Sequence, residues 1–288
     1  MSPAPPRSQT SREALLEARQ SLQSDEASLE AEVLLMQALG VDRERLYQRL
    51  SEPLTSDQTA TFAALLARRA AYEPLAYITG HREFFGLDFE VTPSVLIPRP
   101  ETETVVGLAI AFANERFANQ PITIVDVGTG SGAIAVALAN AIPTAHVIAA
   151  DISPDALAIA RRNANHHGVA TRIDFREGDL LSPLTERVQI LAANLPYVTT
   201  EQWQTSQPEI RDHEPRFSLD GGADGLDAIR RLLANAPNHL TDGGALFCEI
   251  GPWQSAATLE LAQHSFPSAR TEVASDLAGR DRVLCVYA

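Results

Sequence analysis

Through the first part of the chain, apolar positions recur every three to four residues and nowhere alternate. Leu34, Leu35 and Leu39 form one such set; Phe62, Leu65 and Leu66 form another. That spacing lines side chains along one helical face. It predicts helices over 12–22, 28–38, 42–50 and 56–71. Ser56 is placed to cap the last, with Asp57 beside the positive end of the helix. Residues 1–78 are therefore expected as a small helical bundle. The pattern then changes. Residues 82–91 alternate around Gly86, as a β-hairpin does, and Leu96-Ile-Pro-Arg-Pro100 is too Pro-rich for helix. Residues 79–97 are expected as a hairpin linker between two domains.

From residue 98 onward the two periods take turns. Helix is expected over 101–118, strand over 122–127, helix over 133–141, strand over 146–151 and helix over 154–166. Strands follow at 171–176 and 188–193, then a long loop and a helix at 225–236. A strand at 244–250, a helix at 254–264 and strands at 271–274 and 283–287 complete the chain. Strands separated by helices imply βαβ units in a mostly parallel sheet. The last two strands have no helix between them, which implies an antiparallel C-terminal hairpin at one edge. The expected fold of residues 98–288 is thus α/β and Rossmann-like.

Composition adds exclusions. No apolar run approaches the ~20 residues of a membrane helix, and the first twenty residues lack the apolar stretch of a signal peptide. Cys248 and Cys285 form no CxxC pair, which argues against a disulfide framework or a cysteine-based zinc site. Free thiols, no metal, no membrane and a cytoplasmic location are the expectations. The 23 basic residues are all Arg and face 37 acids, a formal net charge of −14. Such a chain repels a phosphate backbone unless its bases cluster. The densest groups, Arg43/Arg45/Arg49, Arg68/Arg69 and Arg161/Arg162, sit among acids or at helical spacing. Nucleic acid is disfavoured as a partner, and nothing implies an oligomer.

Two turns carry candidate chemistry. Ile124-Val-Asp-Val-Gly-Thr-Gly-Ser-Gly-Ala133 is a strand turning through glycines into a helix. Gly128, Gly130 and Gly132, with Thr129 and Ser131 between them, let backbone approach a ligand at a helix N-terminus. Asp151 ends the next strand, where a carboxylate meets a ribose diol. The pattern suits a nucleotide-type ligand without naming it. The second turn is Asn194-Leu195-Pro196-Tyr197, at the end of a buried apolar strand. In a doubly wound sheet it faces the same crevice. The Asn194 side-chain oxygen and the Leu195 carbonyl can accept both N–H bonds of a planar, amide-like nitrogen, and Tyr197 can pack on the planar group. Held in line with an activated methyl, even a delocalised lone pair reacts. Glu249, at a strand end, is a candidate for the crevice or a structural carboxylate. Arg99 and Glu101 are candidates to close over the ligand or to form a linker ion pair.

Together these motifs resemble the class I S-adenosylmethionine (SAM)-dependent methyltransferases that modify amide or exocyclic amino nitrogens. Within them the chain is similar to the protein-(glutamine-N5) methyltransferases acting on peptide-chain release factors. Tyr77-Ile-Thr-Gly-His-Arg-Glu-Phe-Phe-Gly86, Leu96-Ile-Pro-Arg-Pro-Glu-Thr-Glu103 and Glu214-Pro-Arg-Phe-Ser-Leu-Asp-Gly-Gly-Ala-Asp-Gly-Leu226 carry that likeness. So do Glu249-Ile-Gly251 with Gln254, the segment 276–283 and the helical N-terminal part. The resemblance implies a substrate-binding role for residues 1–78 and a methyltransferase domain over 98–288. It implies that Gly128–Gly132 and Asp151 hold SAM, that Asp179 and Leu180 border the adenine, and that Asn194 touches the cofactor as well. Asn194, Leu195, Pro196 and Tyr197 would hold the glutamine of a Gly-Gly-Gln loop in a class 1 release factor and carry the catalysis. Leu195 stands where the family usually has Pro, which keeps the carbonyl but frees φ. The Leu form also occurs in adenine-N6 methyltransferases of ribosomal RNA, so adenine-N6 methylation of RNA or DNA is the alternative.

Overall fold

The computed structural model describes residues 9–118 and 120–288, and the chain folds as two compact units, Met1–Gly80 and His81–Ala288. Residues 1–8 of the expected bundle lie outside the described residues.

The first unit is helical, with α1 (Ser11–Ser21), α2 (Ala27–Leu39), α3 (Arg43–Gln48), α4 (Ser56–Ala70) and α5 (Leu75–Thr79). Its apolar stripes meet in one core where Leu34, Leu35 and Leu46 are fully buried and Phe62 nearly so. Each such burial contributes about 1.5–3 kcal/mol. Thr55, one residue before the expected Ser56, caps α4. Its hydroxyl accepts from the Gln58 N–H while the Gln58 side chain accepts from the Thr55 N–H. This capping box satisfies two otherwise unpaired donors, an outcome Ser56 cannot match from inside the helix. The five-residue α5 was not expected, because so short a segment shows no repeating period.

The second unit opens with β1 (His81–Phe84) and β2 (Leu87–Glu90), paired antiparallel, followed by α6 (Glu103–Phe117), β3 (Ile122–Val127), α7 (Ala133–Ala141) and β4 (Ala145–Asp151). Next come α8 (Pro154–His166), β5 (Ile173–Glu177), β6 (Val188–Ala193) and, within the long loop, two short helices, α9 (Thr200–Gln204) and α10 (Pro208–Arg211). The unit closes with α11 (Asp227–Asn235), β7 (Leu240–Glu249), α12 (Ser255–Ser265), β8 (Arg270–Ser275) and β9 (Asp281–Tyr287). Among the described residues, no helix is long and apolar enough to cross a membrane.

Seven strands form one sheet in the order β5-β4-β3-β6-β7-β9-β8. The first five are parallel; β9 runs antiparallel to both β7 and β8. Alternation along the strands separates two cores. Ile122 and Ile124 of β3 face one, Val125 and Val127 the other. The same period keeps the cysteines apart. Cys248 lies opposite Leu284 and Cys285 opposite Phe247, so the two free thiols face opposite sides of the sheet. The hairpin is no mere linker. Phe84 and Phe89 are fully buried in the core of the second unit. Asn163 of α8 ties the hairpin down: its Oδ1 accepts from the Glu90 N–H at 2.8 Å, and its Nδ2 donates to the Glu90 and Ser131 carbonyls. Several Arg residues from the dense groups are neutralised: Arg43 pairs with Glu32, Arg49 with Glu52, Arg68 with Glu73 and Arg162 with Glu90.

Candidate active site

Strand order reverses between β3 and β6. There the connections leave in opposite directions and the carboxyl ends of the strands open a crevice. A cavity of about 560 Å³ occupies it. Gly128, Thr129, Gly130 and Ser131 form one wall, and Asp151, Asp179 and Leu180 a second. Asn194, Leu195 and Pro196 form a third. Four loops separated in sequence thus converge as the motifs imply.

Two expected residues lie off the wall. Gly132 sits behind the glycine turn at the start of α7, with φ +82°. Tyr197, expected against a planar substrate group, packs its ring beside the core and donates its hydroxyl to Glu249 Oε1 at 2.9 Å. The cause is the demand of one polar atom on an otherwise apolar ring: a buried carboxylate satisfies it. Glu249 is itself fully buried and also accepts from Thr102 Oγ1 at 2.6 Å. Thr102 in turn accepts from Asn194 Nδ2 at 3.0 Å. Burial raises the Glu249 carboxyl, the Glu101 charge adding to the rise and the Thr102 and Tyr197 hydrogen bonds and the Arg282 charge opposing it.

The turns are shaped by close approach. Gly128 has φ +74°, and a Cβ there would come 3.1 Å from Leu195 Cδ2. Gly225, also at φ +74°, lies so near the second turn that a Cβ would meet the Tyr197 carbonyl oxygen at 2.2 Å. Gln254 Nε2 donates to that carbonyl at 3.0 Å and to the Gly225 carbonyl at 3.2 Å, clamping the two loops together. Asp151 Oδ2 accepts from the Gly130 N–H at 2.8 Å and Oδ1 from the Ser153 N–H at 2.9 Å. These take two of the roughly four acceptor positions of a carboxylate. Asp179 forms an ion pair with Arg231, which also lines the cavity. Arg99 neither closes over the cavity nor pairs with Glu101. It forms an ion pair with Glu214, whose other oxygen accepts from the Ile97 N–H. Glu214 so ties the wall at Val95, Leu96 and Pro98 to the wall at Phe217 and Ser218.

Sequence reasoning missed Phe84, Thr102, Ile152, Phe217 and Arg231 on the wall. Phe84, Thr102 and Phe217 lie in the segments that carry the family likeness but were given no role there. Ile152, 62% exposed beside Asp151, also has a local signal, an apolar residue directly after a strand-ending acid.

Asp126, under the glycine turn, is fully buried. Its Oδ2 accepts from Thr129 Oγ1 at 2.6 Å and from the Ala135 N–H at 3.0 Å. Its Oδ1 has no hydrogen-bond partner among the described residues. Desolvation raises its carboxyl to about 7 against the ordinary 3.8, the two hydrogen bonds opposing and the Asp151 charge adding to the rise. Between about pH 4 and pH 7 the folded protein then holds a proton that the unfolded chain has released. Stability falls as pH rises through that window and levels off above it. Since each tenfold change in proton affinity is worth about 1.4 kcal/mol, a few kcal/mol depend on this group. Asp126→Asn should remove that slope. Urea unfolding at several pH values without added ligand checks it, and parallel curves for the two proteins would count against it.

A family model described as PrmC N-terminal domain matches residues 13–80, and one described as methyltransferase domain matches residues 124–213. A release factor glutamine methyltransferase of Geobacter sulfurreducens is 45% identical over 262 residues, 90% of this chain and 89% of that protein. One of Moorella thermoacetica is 45% identical over 282 residues, 96% of this chain and 98% of that protein. Among solved structures, a T. Thermophilus 16S rRNA N2 G1207 methyltransferase in complex with AdoMet and guanosine shares the fold, with a TM-score of 0.51 at 17% identity. It covers 72% of this chain and 49% of that one. That likeness speaks for the fold alone. The two relatives speak for more: at such identity, over nine-tenths or more of its length, the chain belongs to the release factor glutamine methyltransferase family.

Proposed function

We propose that this enzyme transfers a methyl group from SAM to the side-chain nitrogen, N5, of the glutamine in the Gly-Gly-Gln loop of class 1 release factors. The cavity fits SAM on three counts. It has the volume for a nucleoside-sized ligand, a glycine turn where backbone can approach it, and the Asp151 carboxylate with acceptor capacity left for ribose hydroxyls. Asp179 and Leu180 border the adenine end. When bound, SAM supplies a methyl already activated by its sulfonium, so the protein's task is to hold the acceptor nitrogen.

One observation carries the substrate reading. Asn194 Nδ2 is committed to Thr102, and no described residue donates to Asn194 Oδ1 or to the Leu195 carbonyl. Two acceptors on one turn at the cavity wall match the two N–H bonds of a primary amide. They fix its plane and aim its lone pair. Pro196 and the Gln254 clamp hold that turn still. The acceptor nitrogen, once methylated, must shed one proton, which these carbonyls can orient but not keep and which passes to solvent.

The helical unit, matched by the PrmC N-terminal domain model, gives the release factor a second contact. Two contacts on one substrate raise the effective concentration of its loop. A release-factor substrate places the enzyme in the cytoplasm. The adenine-N6 alternative shares the acceptor pair but is not favoured by the relatives. Labelled SAM offered together with release factor, ribosomal RNA and DNA, followed by peptide mapping, decides the matter. Label on the Gly-Gly-Gln glutamine is the expected result. Label on adenine with release factor unmodified would overturn it.

A further inference from the structure

The geometry points to Glu249 as a positioning residue. Acting through the Thr102 hydroxyl, it sets which end of the Asn194 amide faces the cavity. The inference rests on the reading that Asn194 Oδ1 receives the substrate nitrogen, and it explains why that oxygen, not the NH₂ group, is presented.

The argument is one of proton counting. Both Glu249 oxygens accept from hydroxyls and give no proton back, and each of those hydroxyls has one proton to give. Tyr197 and Thr102 both spend theirs on Glu249, at 2.9 and 2.6 Å. Thr102 Oγ1 is left as an acceptor, and an amide beside it must turn its NH₂ inward. Asn194 does so at 3.0 Å. Its oxygen is thereby sent the other way. Glu249 and Thr102 are buried at 0% and 4% exposure, so water does not compete for these bonds. Neither residue needs to touch the substrate, and Glu249 does not line the cavity.

A neutral residue at 249 loses this directionality. In Glu249→Gln the new amide can offer its own NH₂ to Thr102. The Thr102 proton then turns toward Asn194, and the Asn194 amide rotates to put donors where the substrate's N–H bonds must go. Thr102→Val removes the relay atom with little change in volume; Thr102→Ser keeps it.

Two readouts test the proposal. The first needs no turnover: the side-chain NH₂ resonances of Asn194 in the intact protein, assigned by their absence in Asn194→Ala. They should be alike in wild type and Thr102→Ser, and clearly displaced in Glu249→Gln and Thr102→Val. The second is kinetic. Glu249→Gln and Thr102→Val should lose roughly tenfold or more in kcat on release factor, while SAM affinity stays within about twofold. Adding Glu249→Gln to Asn194→Ala should cost no more than about twofold further, since a residue that acts only through Asn194 has nothing left to act on. Unmoved resonances in Glu249→Gln, a loss that multiplies with Asn194→Ala, or a matching loss of SAM affinity would overturn the proposal. If the resonances move but wild type leaves release factor unmethylated, the substrate reading falls and the positioning role stands.

Discussion

Replacing Asn194 by alanine should lower turnover on release factor about a hundredfold while leaving SAM affinity within a few-fold. In the proposed function the side chain supplies one of two acceptors for the attacking nitrogen, and the other, the Leu195 carbonyl, survives the change. With one acceptor the amide can still bind, but it pivots, and a displacement near 1 Å is enough to cost ~10²-fold in rate. The loss belongs in kcat more than in KM, because the wrong orientation binds nearly as well as the right one. SAM should notice little, since the glycine turn and Asp151 remain. Thr102 loses its Nδ2 donor but keeps its bond to Glu249, so the core below is undisturbed. Single-turnover kinetics with saturating SAM and release factor checks this. Normal turnover in Asn194→Ala would remove the catalytic role of the whole turn.

Asp151→Ala should weaken SAM by one to two orders of magnitude, and turnover should recover in large part at high SAM. A hydrogen bond to a charged group is worth about 1.5–3 kcal/mol, which is ~10- to ~100-fold in affinity. The structure places the effect at the upper end. Asp151 also accepts from the Gly130 N–H, so its loss frees the middle of the glycine turn as well as removing the proposed ribose contact. Burial raises the Asp151 carboxyl, with the backbone N–H bonds of Ser153 and Gly130 and the nearby Ile152 N–H opposing the rise. The same backbone bonds are what the Ala variant forfeits. Calorimetry with SAM reads the loss directly. Unchanged affinity would show that the carboxylate serves the turn alone.

Both turns were legible because short-range chemistry writes them. A strand that ends in Gly-x-Gly-x-Gly has few conformations open to it, and the positive φ of Gly128, Gly130 and Gly132 is the one those residues permit. Asp151 and Asn194 could be placed for the same reason, Asp151 ending one apolar strand and Asn194 directly following another. The hairpin of residues 81–90 was legible as a hairpin but not as part of the second unit. Alternation says which residues pair; it does not say that Phe84 and Phe89 find their core there. Tyr197 was assigned to the substrate because an aromatic beside a planar group is a sound guess, yet its hydroxyl had a partner 52 residues away.

What the chain determined by itself is therefore local: element periods, turn chemistry, the acid at each strand end and the motif that marks the family. Tertiary structure decided everything that depends on the direction of a hydrogen bond. Thr102 and Glu249 are 147 positions apart, and Asn194 lies 92 from Thr102. Asn194 and Glu249 come level because β7 runs parallel beside β6, and Thr102 reaches them from just before α6. A hydroxyl or an amide presents either face until its neighbours are known. The polarity of the Asn194 side chain, on which an amide acceptor site depends, was settled by residues that no spacing in the sequence connects.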